Sequence, residues 1–208
     1  MDTPYLFPIS LNLQHKPCLV VGGGTIAERR VQTLLSCGAV VHLVSPEATS
    51  WLSTAAQQGA LRWTPDVFQP AHLEGIAIVL VATNQSKVNA EIAALARQRH
   101  CLINVVDDPA HCDFYLPAVV RRGALALAIS TEGQAPAFAG WLRKQLEQLL
   151  DPQLGEVLAH YAAQRLEMQQ RYPDLQARSA AWAALLAAEA PTLFTLRAAQ
   201  ETEVHTTS

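Results

Sequence analysis

Two short stretches concentrate the chemistry-bearing residues of this 208-residue chain. Residues 18–30, CLVVGGGTIAERR, set three consecutive glycines after an apolar run and before a helix-forming one. A pyrophosphate needs so bare a turn, because it must approach backbone N–H groups at a helix N-terminus, where unpaired donors and the dipole favour an anion. Gly22, Gly24 and Ala27 read as G-x-G-x-x-A. The first permits the sharp turn, the second lets phosphates approach, and the small third residue lets helix and strand pack closely. The second stretch, NVVDD at 104–108, places Asn104 and two adjacent carboxylates at the end of another apolar run. Asp107 or Asp108 is a candidate general base, a candidate metal ligand, or the N-cap of a turn begun by Pro109.

A ribose-binding acid belongs about 20 residues past such glycines. Glu47, next to Pro46, is the acidic candidate there; the competing reading is a solvated loop residue. No Lys or Arg occurs between His42 and Leu61, so a 2′-phosphate would find no partner in that stretch and NAD is preferred to NADP. Thr83 and Asn84 follow a further apolar run, as ligand contacts or as caps of a helix beginning near Ser86. Arg29 and Arg30 lie about a turn or more beyond the phosphate end and read as helix-surface or interface residues. His100 with Cys101, and His111 with Cys112 and Asp113, match no standard metal-ligand spacing, so no permanent metal site is expected.

The elements that must position these residues follow from periodicity. Up to about residue 108, short apolar runs (PCLVV, VVHLVS, GIAIVLVAT, LINVVD) alternate with amphipathic helical stretches. That pattern predicts an α/β, Rossmann-like doubly wound parallel sheet covered on both faces. From 113 the grammar changes. DFYLPAVV and ALALAIS, separated by Arg121, Arg122 and Gly123, predict an antiparallel hairpin, with Pro117 at an edge or bulge. A helix is expected over 136–150, and two or three helices beyond Pro152, broken by Pro173 and Pro191. The Ala-rich AAWAALLAAEA reads as a tightly packed helix and the tail ETEVHTTS as disordered. The domains expected are 1–112, 113–150 and 151–208.

Half hydrophobic residues are the composition of a globular chain, and a formal charge of −3 with a pI near 6.1 argues against a nucleic-acid or polybasic membrane-surface partner. No stretch approaches the roughly 20 apolar residues of a spanning helix, and no secretory signal opens the chain, so a cytoplasmic protein with four reduced cysteines is expected.

VVGGGTIAERR, NVVDD, FYLPAVV and ISTEGQAPAFAGWLRKQLE together resemble the precorrin-2 dehydrogenases, including the amino-terminal half of bacterial sirohaem synthase and the yeast bifunctional dehydrogenase/ferrochelatase. The resemblance covers about residues 5 to 150 and continues more loosely into the helical tail. It implies NAD-dependent oxidation of precorrin-2 to sirohydrochlorin, in a homodimer built from a Rossmann domain, a hairpin dimerisation region and a helical domain. Some members also insert Fe(II) or Co(II) into sirohydrochlorin. A chain of 208 residues is expected to lack the methyltransferase half of the fused enzymes.

Carried over residue by residue, the family's important acid falls on Asp107 and its NAD contacts on Thr25, Ile26, Pro46 and Glu47. Thr131 stands where the fused bacterial enzyme has a phosphorylatable Ser, and Asp108 departs from the small or variable residue common after the motif acid. A polycarboxylated substrate asks for basic partners, which makes Arg121, Arg122, Arg143 and Lys144 candidates, with Asn104 as a hydrogen-bonding orienter. Their other reading is a basic turn and a solvated helix face. The competing function class is a non-catalytic NAD-binding sensor, which would not require NVVDD.

Overall fold

The computed structural model describes residues 5–193, with side chains as far as residue 189. The expected disordered tail lies outside them. The chain divides into two compact units, Met1–Tyr115 and Leu116–Ser208.

The first unit carries five parallel strands: β1 (Pro17–Val21), β2 (Val40–Val44), β3 (Arg62–Thr64), β4 (Ile78–Val81) and β5 (Leu102–Val105). Their order in the sheet is β3-β2-β1-β4-β5. Helices α1 (Thr25–Ser36), α2 (Ser50–Gln57) and α3 (Ser86–Gln98) link them. Because Cβ atoms alternate along a strand, β1 sends Cys18 and Val20 into one core layer with Ala27, Val31 and Leu52, and Leu19 and Val21 into another with Ile92, Ala96 and Ile103. Both faces are thus covered, which is why the strands read as unbroken apolar runs. Each fully buried Val, Leu or Ile contributes roughly 1.5–3 kcal/mol.

The chain runs from β1 outward to β2 and β3, then returns to β4 and β5 on the other side. Strand order therefore reverses between β1 and β4, where open α/β sheets leave a crevice at the carboxyl ends.

The second unit holds an antiparallel hairpin, β6 (Ala118–Arg122) with β7 (Leu125–Ile129), followed by α4 (Pro136–Leu149), α5 (Leu154–Arg171) and α6 (Leu175–Leu193). Three expectations change. Arg121 and Arg122 end strand β6 rather than forming the turn, which falls on Gly123 with its positive φ of 58° and on Ala124. Pro117 precedes the strand, because residues 113 and 114 are bonded back to β5. Helix α6 runs through Pro191, since proline forfeits its own N–H bond but keeps a helical φ. The Ala-rich segment is helical but not tightly packed: no described residue of α5 or α6 is buried.

Candidate functional site

The glycine turn is built by exclusion on two sides and openness on the third. Gly22 adopts φ 110°, and a Cβ there would collide with the Ala82 carbonyl at the end of β4. A Cβ on Gly23 would run into the Glu47 carbonyl and lie 2.8 Å from Ser45 Oγ. At Gly24 a Cβ would meet nothing within 4 Å. Gly24 is also the N-cap of α1 and provides no side-chain cap, so the first-turn N–H groups have neither an intrahelical acceptor nor a capping oxygen. Open space, free donors and the helix dipole coincide there, which is the fit a dinucleotide pyrophosphate requires.

Hydrogen bonds hold this cradle. Gly22 N donates to Val44 O (3.0 Å) and Thr49 N to Gly23 O (3.0 Å). Thr49 Oγ1 donates to Glu28 Oε2 at 2.5 Å and accepts from Leu52 N, so one hydroxyl caps α2 and ties it to α1. Trp63 Nε1 donates to Ser45 O at 3.0 Å and fixes the start of the loop after β2. Thr25, Ile26, Pro46 and Glu47 are all exposed around the turn. Thr83 is half-buried; its hydroxyl bonds Asn89 Oδ1 and accepts from Gln85 N, which makes it a brace for the start of α3.

Asp107 follows β5 at the same carboxyl edge, exposed, with φ 58°. A non-glycine residue in that region carries strain of order 1–3 kcal/mol, though Asp tolerates it better than most. The N-cap position before the short Pro109–His111 turn is Asp108, not Asp107, and its side chain makes no capping bond. Asp107 is therefore not a cap. Asp108 Oδ2 instead pairs with His111 Nδ1 at 2.8 Å.

Arg30, expected on the helix surface or at an interface, has a charged neighbour that the sequence did not indicate. It is half-buried on α1; burial pulls its guanidinium below the ordinary range, and the charge of Asp107 acts in the opposite direction. The acid and this cation are thus within electrostatic reach. The available signal for its half-burial was spacing: Arg30 lies three residues after buried Ala27, on the same helical face.

Asn104 is 7% exposed and donates from Nδ2 to Phe114 O (2.9 Å) and toward Cys112 Sγ (3.4 Å). Through Nδ2 its amide closes the loop after β5. Cys112 and Asp113 serve the same closure: Val105 N donates to Cys112 Sγ (3.2 Å), and Asp113 accepts from Ile103 N (3.3 Å) and Arg97 Nε (2.9 Å). Burial pushes the Cys112 thiol pKa up. Among the described residues no cluster of three His, Cys, Asp or Glu side chains could hold a metal ion.

The basic candidates lie in the second unit. Arg122 closes the end of α4, donating from Nε and Nη2 to Leu150 O (3.1 and 3.0 Å) and from Nη2 to Glu147 O (2.6 Å). Arg143 pairs with Glu147 one turn along α4. Arg121 and Lys144 are exposed. Among the described residues no helix is long and apolar enough to cross a membrane.

Comparison with known proteins agrees with this geometry. A family described as putative NAD(P)-binding matches residues 9–118, and one described as sirohaem biosynthesis protein central matches residues 122–149. Siroheme synthase 1 of Aeromonas salmonicida (strain A449) is 40% identical over 182 residues, covering 88% of this chain and 39% of the relative. A siroheme synthase of Xylella fastidiosa (strain M12) is 40% identical over 179 residues, covering 86% and 38%. The chain therefore spans about two fifths of the length of these curated relatives. Among solved structures, "SirC, precorrin-2 dehydrogenase" superposes with a TM-score of 0.72 at 24% identity, over 87% of this chain and 89% of that one, which shows a common fold.

Proposed function

The chain belongs to the precorrin-2 dehydrogenase family, which includes the amino-terminal part of sirohaem synthase, and from that premise we propose that it oxidises precorrin-2 to sirohydrochlorin with NAD in sirohaem biosynthesis. The observation that carries this reading is the pairing, along one sheet edge, of an anion cradle with open space at Gly24 and an exposed acid at Asp107. Gly22, Gly23 and Gly24 give the backbone approach, Thr25 and Ile26 present the first-turn N–H groups, and Pro46 and Glu47 border the ribose position.

When bound, NAD supplies a hydride acceptor. The substrate loses two hydrogens, one as hydride and one as a proton, and Asp107 is the group in this chain that receives the proton. Arg121 and Lys144, the exposed members of the basic set, contact substrate carboxylates; Arg122 and Arg143 are engaged within the second unit. NAD is favoured over NADP because the stretch from His42 to Leu61 carries no Lys or Arg.

The protein works in the cytoplasm as a homodimer, with residues 113–150 as the dimerisation region. Supporting this, all four cysteines are free, and Phe138 and Trp141 stack at 5.6 Å while each stays 54% exposed.

Anaerobic incubation with precorrin-2 and NAD, following NADH and sirohydrochlorin absorbance, tests the activity. Turnover is expected in the wild type, and Asp107→Ala should lower kcat by about 10²–10⁴-fold with NAD affinity unchanged. NAD binding without any product would favour the sensor. A parallel incubation of sirohydrochlorin with Fe(II) or Co(II), with spontaneous insertion subtracted, tests whether these ions are substrates of a chelatase reaction at the same acid.

A further inference from the structure

We propose that Asp108 and His111 act as a positioning pair that fixes the loop carrying Asp107, a role that rests on reading Asp107 as the catalytic acid. Asp107 holds φ 58°, a conformation that persists only where the surroundings over-determine it. The two ends of the loop are anchored. Before it, Val106 N donates to Val81 O at 2.9 Å; after it, Cys112 Sγ accepts from Val105 N at 3.2 Å and lies 3.3 Å from Asp108 O. Between these anchors the backbone contributes longer bonds: Asp108 N to Val105 O at 3.4 Å, and His111 N to Asp108 O and Cys112 N to Pro109 O at 3.2 Å each.

The Asp108–His111 side-chain bond, at 2.8 Å across the Pro109–His111 turn, is the short contact that spans this segment. Because a carboxylate only accepts, Nδ1 is the donor. The second acid of NVVDD thereby gains a partner of its own beside the first.

A bond between side chains that are each about one-third exposed, 34% and 30%, contributes little to global stability. Its consequence is geometric: displacing a reacting group by about 1 Å can cost 10²-fold in rate. Loss of the pair is therefore expected to appear in turnover and not in melting temperature.

The test compares Asp108→Ala, Asp108→Asn, His111→Ala and the double alanine variant with wild type in NAD-dependent oxidation of precorrin-2. Expected are kcat losses of about ten- to hundredfold for each alanine variant, with KM and NAD affinity within about twofold. The double variant should lose no more than either single one, because the two act as a unit. Asp108→Asn, whose amide oxygen still accepts from Nδ1–H, should recover most of the rate. Additive losses, an unchanged kcat in Asp108→Ala, or no recovery in Asp108→Asn overturns the proposal.

Hydrogen exchange of residues 106–112 in the NAD-bound protein gives a readout independent of turnover. It should quicken in Asp108→Ala and not in Asp108→Asn; equal exchange in both overturns the pair. Asp107→Ala separates the two levels. If it lowers turnover while Asp108→Ala leaves kcat unchanged, only the pair fails; if it leaves turnover intact, the reading of Asp107 itself falls.

Discussion

The five-stranded unit and the hairpin-and-helix unit treat apolar surface in opposite ways. In the first, every strand from β1 to β5 contributes to a core layer, helices cover both faces, and side chains such as Leu19, Leu43, Ile92 and Ile103 are fully buried. In the second, the buried hydrophobic residues among those described are Val120, Ala139 and Leu150. α5 and α6 bury no described side chain, while Phe138, Trp141, Leu166 and Leu175 stand exposed. A unit that closes its own core can hold a rigid ligand cradle. One that leaves large aromatics exposed carries apolar surface that a partner could cover, and a second copy of the chain is the partner we propose for it.

That contrast predicts where substitutions will be felt. The largest effect is expected from Gly23→Ala in the closed unit, since its Cβ meets the Glu47 carbonyl and Ser45 Oγ, and neither backbone nor buried serine can give way. Calorimetry should show a loss of about 1–3 kcal/mol from overpacking, and titration should show NAD affinity falling by about 100-fold or more. An unperturbed variant would mean that the closed unit is softer than its packing indicates.

Next comes the open unit. Phe138→Glu with Trp141→Glu should convert a dimer into a monomer by light scattering, because burying two charges without partners is strongly unfavourable, and should leave NAD binding within about twofold. A dimer that survives would erase the distinction as drawn. The smallest expected effect is from Gly24→Ala, whose Cβ enters open space. Melting temperature should barely move, while NAD affinity falls about tenfold because the methyl occupies the position a phosphate needs. Equal loss of stability and binding would show that Gly24 belongs to the packing.

The contrast also explains what could be read from the sequence. The succession of strands and helices and the glycine turn were legible because both are local: an apolar run, a turn, and a helix of set spacing. Asp107 was legible as a member of NVVDD, but its freedom from capping was not, since it depends on where the Pro109–His111 turn begins. The structural bond of Asn104 was not legible because its partner, Phe114, lies ten residues on. Arg122 looked like a free cation in a turn; the register of β6 on β7 and the nearness of the end of α4 gave it other work. Arg30 was read as a helix-surface or interface residue because the charge that acts on it, Asp107, lies more than seventy residues away. Each of these depends on contacts between elements, which residue periodicity does not encode.

The sheet order has a consequence for how such a protein can change. The glycine turn follows the central strand β1, hydrogen-bonded on both sides, whereas the acid follows β5, the outermost strand, with β4 as its one neighbour. Variation at 106–112 therefore perturbs one margin of the scaffold and leaves the nucleotide cradle standing. A library randomised over that loop and selected first for retained nucleotide binding should keep a large share of its members, making the chemistry at the margin the exchangeable part of an otherwise inherited frame.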